Sequence, residues 1–268
     1  MRAEPASNKT SLAKSLNISR STLYYRHLKP TNDWILKTQI EAVLRLFPSY
    51  GSRRIAISLK LNRKRIKRVM NLYGIKPYRR RTKKWIKPKK ETSSYPNLLI
   101  TEYPSYENHI WVSDFTYLSW KNKPIYLSTV LDIFSRRIVG INVLTNHTTD
   151  LVSGALLSAI YSNPIPKIFH SDNGSEFDSD EFKTMINNLG ILISRSKKGC
   201  PWENGYQESF YDKFKVDLSD PNRFNSLGEL VFGIYKTIHT YNNKRIHSAL
   251  KMSPIEFIES QKVDRNSV

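Results

Sequence analysis

The sequence predicts an α/β fold, a mixed five-stranded sheet with flanking helices, preceded by an all-α and strongly basic N-terminal part. Near Ile100 the spacing of apolar residues changes from a helical period to the alternation of strands. Beyond it, three strand-like runs precede alternating helix and strand patterns, an order that builds a sheet of mixed direction with helices on its faces. Charge divides the chain at the same place. Residues 1–100 hold 25 Lys and Arg against 4 Asp and Glu, a balance of +21, whereas residues 101–268 hold 18 against 19, a balance of −1.

With 268 residues and 39% hydrophobic content, the chain can bury one sizeable core and a smaller one beside it. No apolar run approaches the ~18 residues of a membrane span, and the N-terminus lacks the apolar stretch of a signal peptide. The expectation is a soluble protein that stays where it is made, with no membrane partner. Cys200 is the single cysteine, which excludes an intramolecular disulfide and a multi-cysteine zinc site. The lopsided charge suits one module that grips a polyanion and another that does different work. A ribosomal-type basic protein would not carry so long a near-neutral half.

Each element is justified in chain order. Thr10 to about Leu28 predicts two short helices: Leu12, Ala13 and Leu16 share a face, Asn17 takes the left-handed turn and Ser19 caps the second helix. A longer helix is expected from about Asn32 to Leu46, with Trp34, Ile35, Ile40, Val43 and Leu44 as its stripe and Pro48 as its stop. A short basic helix, Gly51 to Lys60, contributes Arg53 and Arg54. Asn62 then caps a helix to Tyr73, closed by Gly74. Its Ile66, Val69, Met70 and Tyr73 fall on one side, with Lys64, Lys67, Arg68 and Asn71 opposite and Arg63 at its start. No acidic residue between Glu41 and Glu91 balances that cationic face, which leaves it free for phosphate and base edges. Residues 77–97 have eight basic side chains, among them Arg79, Arg80, Arg81, Lys83 and Lys84, and no regular period; this is a linker able to track a phosphate backbone.

In the second part, His109 to Trp120 reads as a first strand, Lys121 to Pro124 as a turn, Ile125 to Phe134 as a second strand and Arg137 to Leu144 as a third. Thr149 to Tyr161 is expected as a helix, Lys167 to Ser171 as a short strand, Ser179 to Leu189 as a helix and Ile191 to Ser194 as the fifth strand. Two or three helices close the chain: Asn204 to Leu218, Ser226 to Tyr241 and Pro254 to Gln261.

Three acids occupy places that should be apolar or tightly turned. Asp114 interrupts a core strand, Asp172 ends another directly before Asn173-Gly174, and Glu208 lies in the first turns of a helix, on the stripe of Tyr211 and Lys215. Buried carboxylates are costly unless they hold a cation, and an all-carboxylate set without a Cys or His cluster favours Mg²⁺ or Mn²⁺.

The segments WVSDFTYL, LDIFSRRIVG, FHSDNGSEF and NGYQESF, with 35 residues between Asp172 and Glu208, resemble the catalytic core of bacterial insertion-sequence transposases in the retroviral-integrase superfamily. YNNKRIHSALKMSPIEF resembles the terminal motif of the same family, and YGSRRIAISL with NRKRIKRVM resembles its second helix-turn-helix. The resemblance spans roughly residues 45–258. It implies an RNase H-like core and a second-reading-frame, OrfB-like catalytic product. Asp114, Asp172 and Glu208 would hold two divalent ions, Mg²⁺ or Mn²⁺, and Lys215 would lie near the DNA end. The implied reaction frees a 3′-OH at the ends of an insertion sequence and joins it to target DNA. Double-stranded DNA, as terminal inverted repeats and target, would be the partner, with a homo-oligomer forming on it. A longer frameshift fusion or an upstream-frame DNA-binding partner is a further expectation, as is a cytoplasmic, nucleoid-associated place in a bacterium. The domain expectation is a helix-turn-helix-like segment 1–30, a second helical DNA-binding domain 31–76, a basic linker 77–100, the catalytic core 101–220 and C-terminal helices 221–268 packed on it.

Other residues have blander readings. Asp132 hydrogen-bonds its turn, Glu203 caps a helix, His170 is a bonded structural histidine, and Gly174 serves the turn. Lys197 and Lys198, with Arg245 and His247 of the terminal motif, are expected DNA contacts. Retroviral integrases carry an N-terminal His/Cys zinc module, which a single cysteine forbids, and a C-terminal barrel, for which ten residues after Ile258 leave no room. Two rival functions are an inactive DNA-binding regulator, which would not need three buried carboxylates, and an RNA–DNA hybrid nuclease, which would not need two basic helical modules.

Overall fold

The computed structural model of the chain describes residues 9–24, 29–79, 95–197 and 200–266. Two short helices, α1 (Lys9–Ser15) and α2 (Arg20–Tyr24), meet through Asn17 at φ 51°, and Ser19 caps the second by accepting from the Thr22 amide at 3.3 Å. Ala13 is buried as expected, while Leu12 and Leu16 remain exposed. Helices α3 (Lys29–Leu46), α4 (Ser52–Ser58) and α5 (Arg63–Leu72) close around Leu36, Ile40, Tyr50, Ile55, Ile66 and Val69. Asn62 caps α5 by accepting from the Lys64 amide at 2.8 Å, and Gly74 at φ 64° lets the chain turn away after it.

The buried stripe of α3 differs from the expected one. Trp34 and Ile35 are exposed, while Asp33 and Leu36 face inward. Trp34 is covered at the surface by the Lys37 ammonium, 4.3 Å from its ring centre, and by the edge of Tyr73. Asp33 is drawn inward by Arg68, which donates two hydrogen bonds to its carboxylate at 2.7 and 2.5 Å.

The sheet has the order β3-β2-β1-β4-β5. Strand β1 (Ile110–Trp120) pairs antiparallel with β2 (Lys123–Asp132), which pairs antiparallel with β3 (Ile138–Leu144). On its other side β1 runs parallel to β4 (Ile168–Ser171), and β4 parallel to β5 (Leu192–Arg195). This is the mixed, RNase H-like sheet that the sequence predicts. Lys121 and Asn122, at φ 47° and 60°, form a two-residue hairpin turn, shorter than the expected one. Strand β2 stops two residues early because the Asp132 carboxylate captures the Ser135 amide and hydroxyl and folds the chain back.

Both faces of the sheet are covered, so β1 alternates between two cores. Ile110 and Val112 pack with Phe210, Phe214, Leu230, Ile234 and Ile238 of α9 (Gly205–Leu218) and α10 (Leu227–Lys244). Trp111 points the other way, into Val152, Ala155 and Leu156 of α6 (Thr149–Ser162) and Phe182 and Ile186 of α8 (Asp180–Asn188). A single turn, α7 (Ser175–Asp178), precedes α8, and α11 (Pro254–Asn266) ends the described chain. A Cβ on Gly140 would stand 2.2 Å from the Ala155 carbonyl oxygen, so this glycine sets how closely α6 approaches β3. No described helix is long and apolar enough to cross a membrane.

Candidate active site

Asp114 sits in mid-strand opposite Thr129, and its carboxylate accepts from the Phe115 amide at 2.8 Å. Asp172 directly follows β4, the parallel neighbour of β1; it accepts from the Gly174 amide at 3.0 Å, and Arg195 donates to its carbonyl at 3.1 Å. Helix α9 is seated along β1 by a row of polar side chains. Asn204 donates to the Ser113 carbonyl at 3.1 Å, Gln207 to the Val112 and Thr129 carbonyls at 2.8 and 3.0 Å, and Tyr211 to the Asp114 carbonyl at 2.7 Å. Lys215 continues the row, donating to the Thr116 hydroxyl at 2.5 Å. These residues recur at three- and four-residue steps, so they share one helix face. Glu208 stands next to fully buried Gln207 and is itself exposed, at the edge of that face.

Asp114 feels the other two carboxylates. Burial, then the charges of Asp172 and Glu208, push the Asp114 carboxyl up to about 7 against the opposing Phe115 amide and Lys215 ammonium. Burial also raises Asp172, with Glu176 adding to the effect and the Gly174 amide and Arg195 resisting it. Oxygen donors that repel each other in a partly dry place fit a hard divalent cation, and Asp114, Asp172 and Glu208 are the residues that would hold it. The fit lies in donor chemistry: among the described residues no group of three or more His, Cys, Asp and Glu side chains is gathered in ion-holding geometry. Asp114, Glu208 and Lys215 line a cleft of about 880 Å³ together with Arg53, Arg54 and Arg79 from the helical domain and its exit.

Two family descriptions, each an integrase core domain, match residues 104–201 and 189–254. The transposase for insertion sequence element IS904 of Lactococcus lactis is 34% identical over 235 residues, covering 83% of this chain and 93% of that protein. The chain belongs to the insertion-sequence transposases of the retroviral-integrase superfamily. A 31 kDa protein of insertion element IS600 from Shigella sonnei is 31% identical, covering 85% of this chain and 88% of that one. Among solved structures, the HTLV-2 integrase catalytic core domain in complex with magnesium is similar at 25% identity and a TM-score of 0.44, covering 56% of this chain and 95% of that one. Membership brings DNA recombination by polynucleotidyl transfer as the general activity.

The cations predicted to meet DNA fall into three groups in this transposase. Arg53, Arg63, Lys64, Lys67, Arg79 and Lys197 are exposed. Arg80, Arg81, Lys83, Lys84 and Lys198 lie outside the described residues. The rest are engaged within the protein, a correction to the expected free cationic surface. Arg68 holds buried Asp33, an acid from before the interval that looked unbalanced. Arg54 donates to the Ser49 carbonyl at 2.9 Å and stacks on Tyr50, and burial together with Arg245 lowers it to about 10. Arg245 is 3% exposed; it donates to Asp217 and to the Ser49 hydroxyl, both at 2.6 Å, and so joins α9 to the helical domain. His247 is lowered to about 4 by burial and by Arg136, Arg245 and Arg54, which leaves it neutral near pH 7. Lys215 points along β1 beside Asp114, inside the cleft.

Asp132 is fully buried and accepts from Asn108 as well as Ser135, as a turn-holding acid should. His170 is buried against the Ser194 hydroxyl at 2.8 Å and lowered to about 4 by burial and Arg195. Two readings change. Glu203 does not cap α9; it accepts from Asn97 at 2.8 Å and from the Lys197 amide at 2.7 Å, bracing the loop before the helix. Gly174 has an ordinary φ of −61°, and its value is space: a Cβ would lie 3.1 Å from both the Asp172 and Glu176 carboxylates. Sequence reasoning missed Glu176, bound to His147 at 2.8 Å, and Arg195, 1% exposed beneath the Asp172 turn. A charged residue ending the apolar strand Leu192–Arg195 was the available signal for Arg195.

Proposed function

We propose that this transposase binds the ends of an insertion sequence, cleaves to free a 3′-OH and joins that end to DNA at the site of Asp114, Asp172 and Glu208. The observation that carries the reading is the raised Asp114 carboxyl: burial and two further acids oppose its charge in a cleft that three arginines also line. Two divalent ions, Mg²⁺ or Mn²⁺, held there would activate the entering oxygen and stabilise the leaving one. The chain's own part is to hold the acids in register through β1, β4 and the polar face of α9, and to offer Arg53, Arg79 and Lys215 to the phosphate backbone. Helix α5 is the proposed reader of the element ends, through Lys64 and Lys67. A homo-oligomer assembled on DNA, with or without an upstream-frame partner, completes the reading.

The test separates binding from chemistry. Glu208→Gln and Asp172→Asn are expected to bind element ends about as well as the parent, yet neither to release a 3′-OH nor to join a pre-cut end. Glu203→Gln is expected to keep substantial activity, since its carboxylate braces a loop. Activity is expected with Mg²⁺ or Mn²⁺ and absent in EDTA. Robust cleavage in EDTA, or strand joining by Glu208→Gln near the parent rate, overturns the reading.

A further inference from the structure

A second cleft of about 570 Å³ opens on the other flank of α9, lined by Arg54, Arg136, Tyr206, Lys213, Arg245 and His247 among others. Arg54, Lys213 and Ser248 line both clefts, so the two adjoin. Arg136 is the unusual member. It sits in the β2–β3 turn at φ 64°, its guanidinium lies 4.3 Å over the Tyr206 ring, and its Nε and Nη1 are buried with no hydrogen-bond partner. Buried donors are nearly always satisfied, and two orphaned guanidinium donors call for acceptors from outside the chain. The one acid in the wall, Glu203, already accepts from Asn97 and Lys197. His247 is held neutral by burial first, with Arg136, Arg245 and Arg54 adding to the effect.

We propose that this cleft is a subsite for one phosphate and the attached base of an unpaired DNA strand leading away from the carboxylate cleft. The proposal rests on the reading of the chain as a DNA-joining enzyme. Arg136 supplies a fixed cation with two unpartnered N–H donors suited to phosphate oxygens. Tyr206, 39% exposed at the rim, supplies a face for the base. Bases within a duplex are already stacked on one another, so an aromatic platform beside a phosphate donor selects a strand that has come unpaired.

Full-length protein in EDTA, where no cutting occurs, is titrated with a short duplex that is blunt or carries a single-stranded oligothymidine tail. The parent is expected to bind the tailed duplex more tightly. Arg136→Gln is expected to lose about tenfold on the tailed duplex, the worth of a charge-assisted hydrogen bond, and little on the blunt one. Tyr206→Ala, at an exposed position, tests the same subsite should Arg136→Gln fail to fold; it is expected to weaken the tailed complex and to be indifferent to whether the tail has bases. Lys236→Gln, exposed on α10 outside the cleft, is expected to keep the full tail preference. No tail preference in the parent, or an intact preference in a folded Arg136→Gln or in Tyr206→Ala, overturns the subsite. Loss of blunt-duplex binding by the parent would instead overturn the reading beneath it.

Discussion

Changing Asp114 to Asn removes the one charge in the site that burial, Asp172 and Glu208 all oppose. A carboxyl raised from its ordinary value to about 7 stabilises the ion-free fold fully at pH below that ordinary value, and the contribution is lost as pH rises through about 7. Asp114→Asn is therefore expected to raise the melting temperature in EDTA more at about pH 8 than at about pH 5. Equal gains at both, read by calorimetry, contradict the assignment. On α5, Lys64→Ala with Lys67→Ala is expected to weaken DNA binding and flatten its log–log salt dependence by about 2, at roughly one for each phosphate no longer neutralised. Arg68→Ala is expected to lower the melting temperature instead, because it removes the two charge-assisted hydrogen bonds that Arg68 donates to Asp33, which is 4% exposed. That contrast was not legible in the sequence: Arg68 and Asp33 stand 35 residues apart, and helical periodicity places a side chain on a face without saying what packs there. Asp114 stood out for the opposite reason, since a charge inside an apolar strand is locally anomalous whatever surrounds it.

Elements announced themselves where a local rule decided them. Asn62 and Gly74 bound α5, Lys121 and Asn122 turn the hairpin, and β1 alternates between two cores. Those set by distant contacts did not: the rotation of α3 follows from Arg68 and Tyr73, and the early end of β2 from the reach of Asp132. The polar face of α9 was half legible, because Tyr211 and Lys215 fall on one stripe but Asn204 and Gln207 reveal their purpose only against β1. Where α6 crosses β3, Gly140→Ala forces backbone apart, since the new methyl meets the Ala155 carbonyl and lies 2.7 Å from the Ala159 Cβ. It is expected to destabilise the core by about 1–3 kcal/mol, measured by denaturant unfolding. A loss under half a kilocalorie would mean that the helix can lift away freely.

At the scale of the whole molecule, the terminal motif is a clasp between two modules. Arg245 reaches Asp217 of α9 and Ser49 of the helical domain, while the Ile246 amide donates to the Tyr50 hydroxyl at 2.6 Å. Arg245→Met leaves Asp217 without its cation and is expected to cost about 3 kcal/mol. Hydrogen exchange across α4 and α5 is expected to quicken relative to β1; unchanged protection there would show that the modules hold together without the clasp. The same terminal segment has an effect on the sheet. Asn242 donates to the Ile138 carbonyl at 2.8 Å and accepts from its amide at 2.9 Å, and Ser158 accepts from the Ile141 amide at 2.8 Å. At the far margin the Arg195 amide of β5 donates to the Pro96 carbonyl, and the Leu98 amide to the Ser194 hydroxyl. Side chains and an irregular segment thus occupy hydrogen-bonding groups at both outer strands, the places where a stray strand would otherwise add on. Copies of the chain that meet edge to edge are thereby discouraged from knitting into a continuous ribbon.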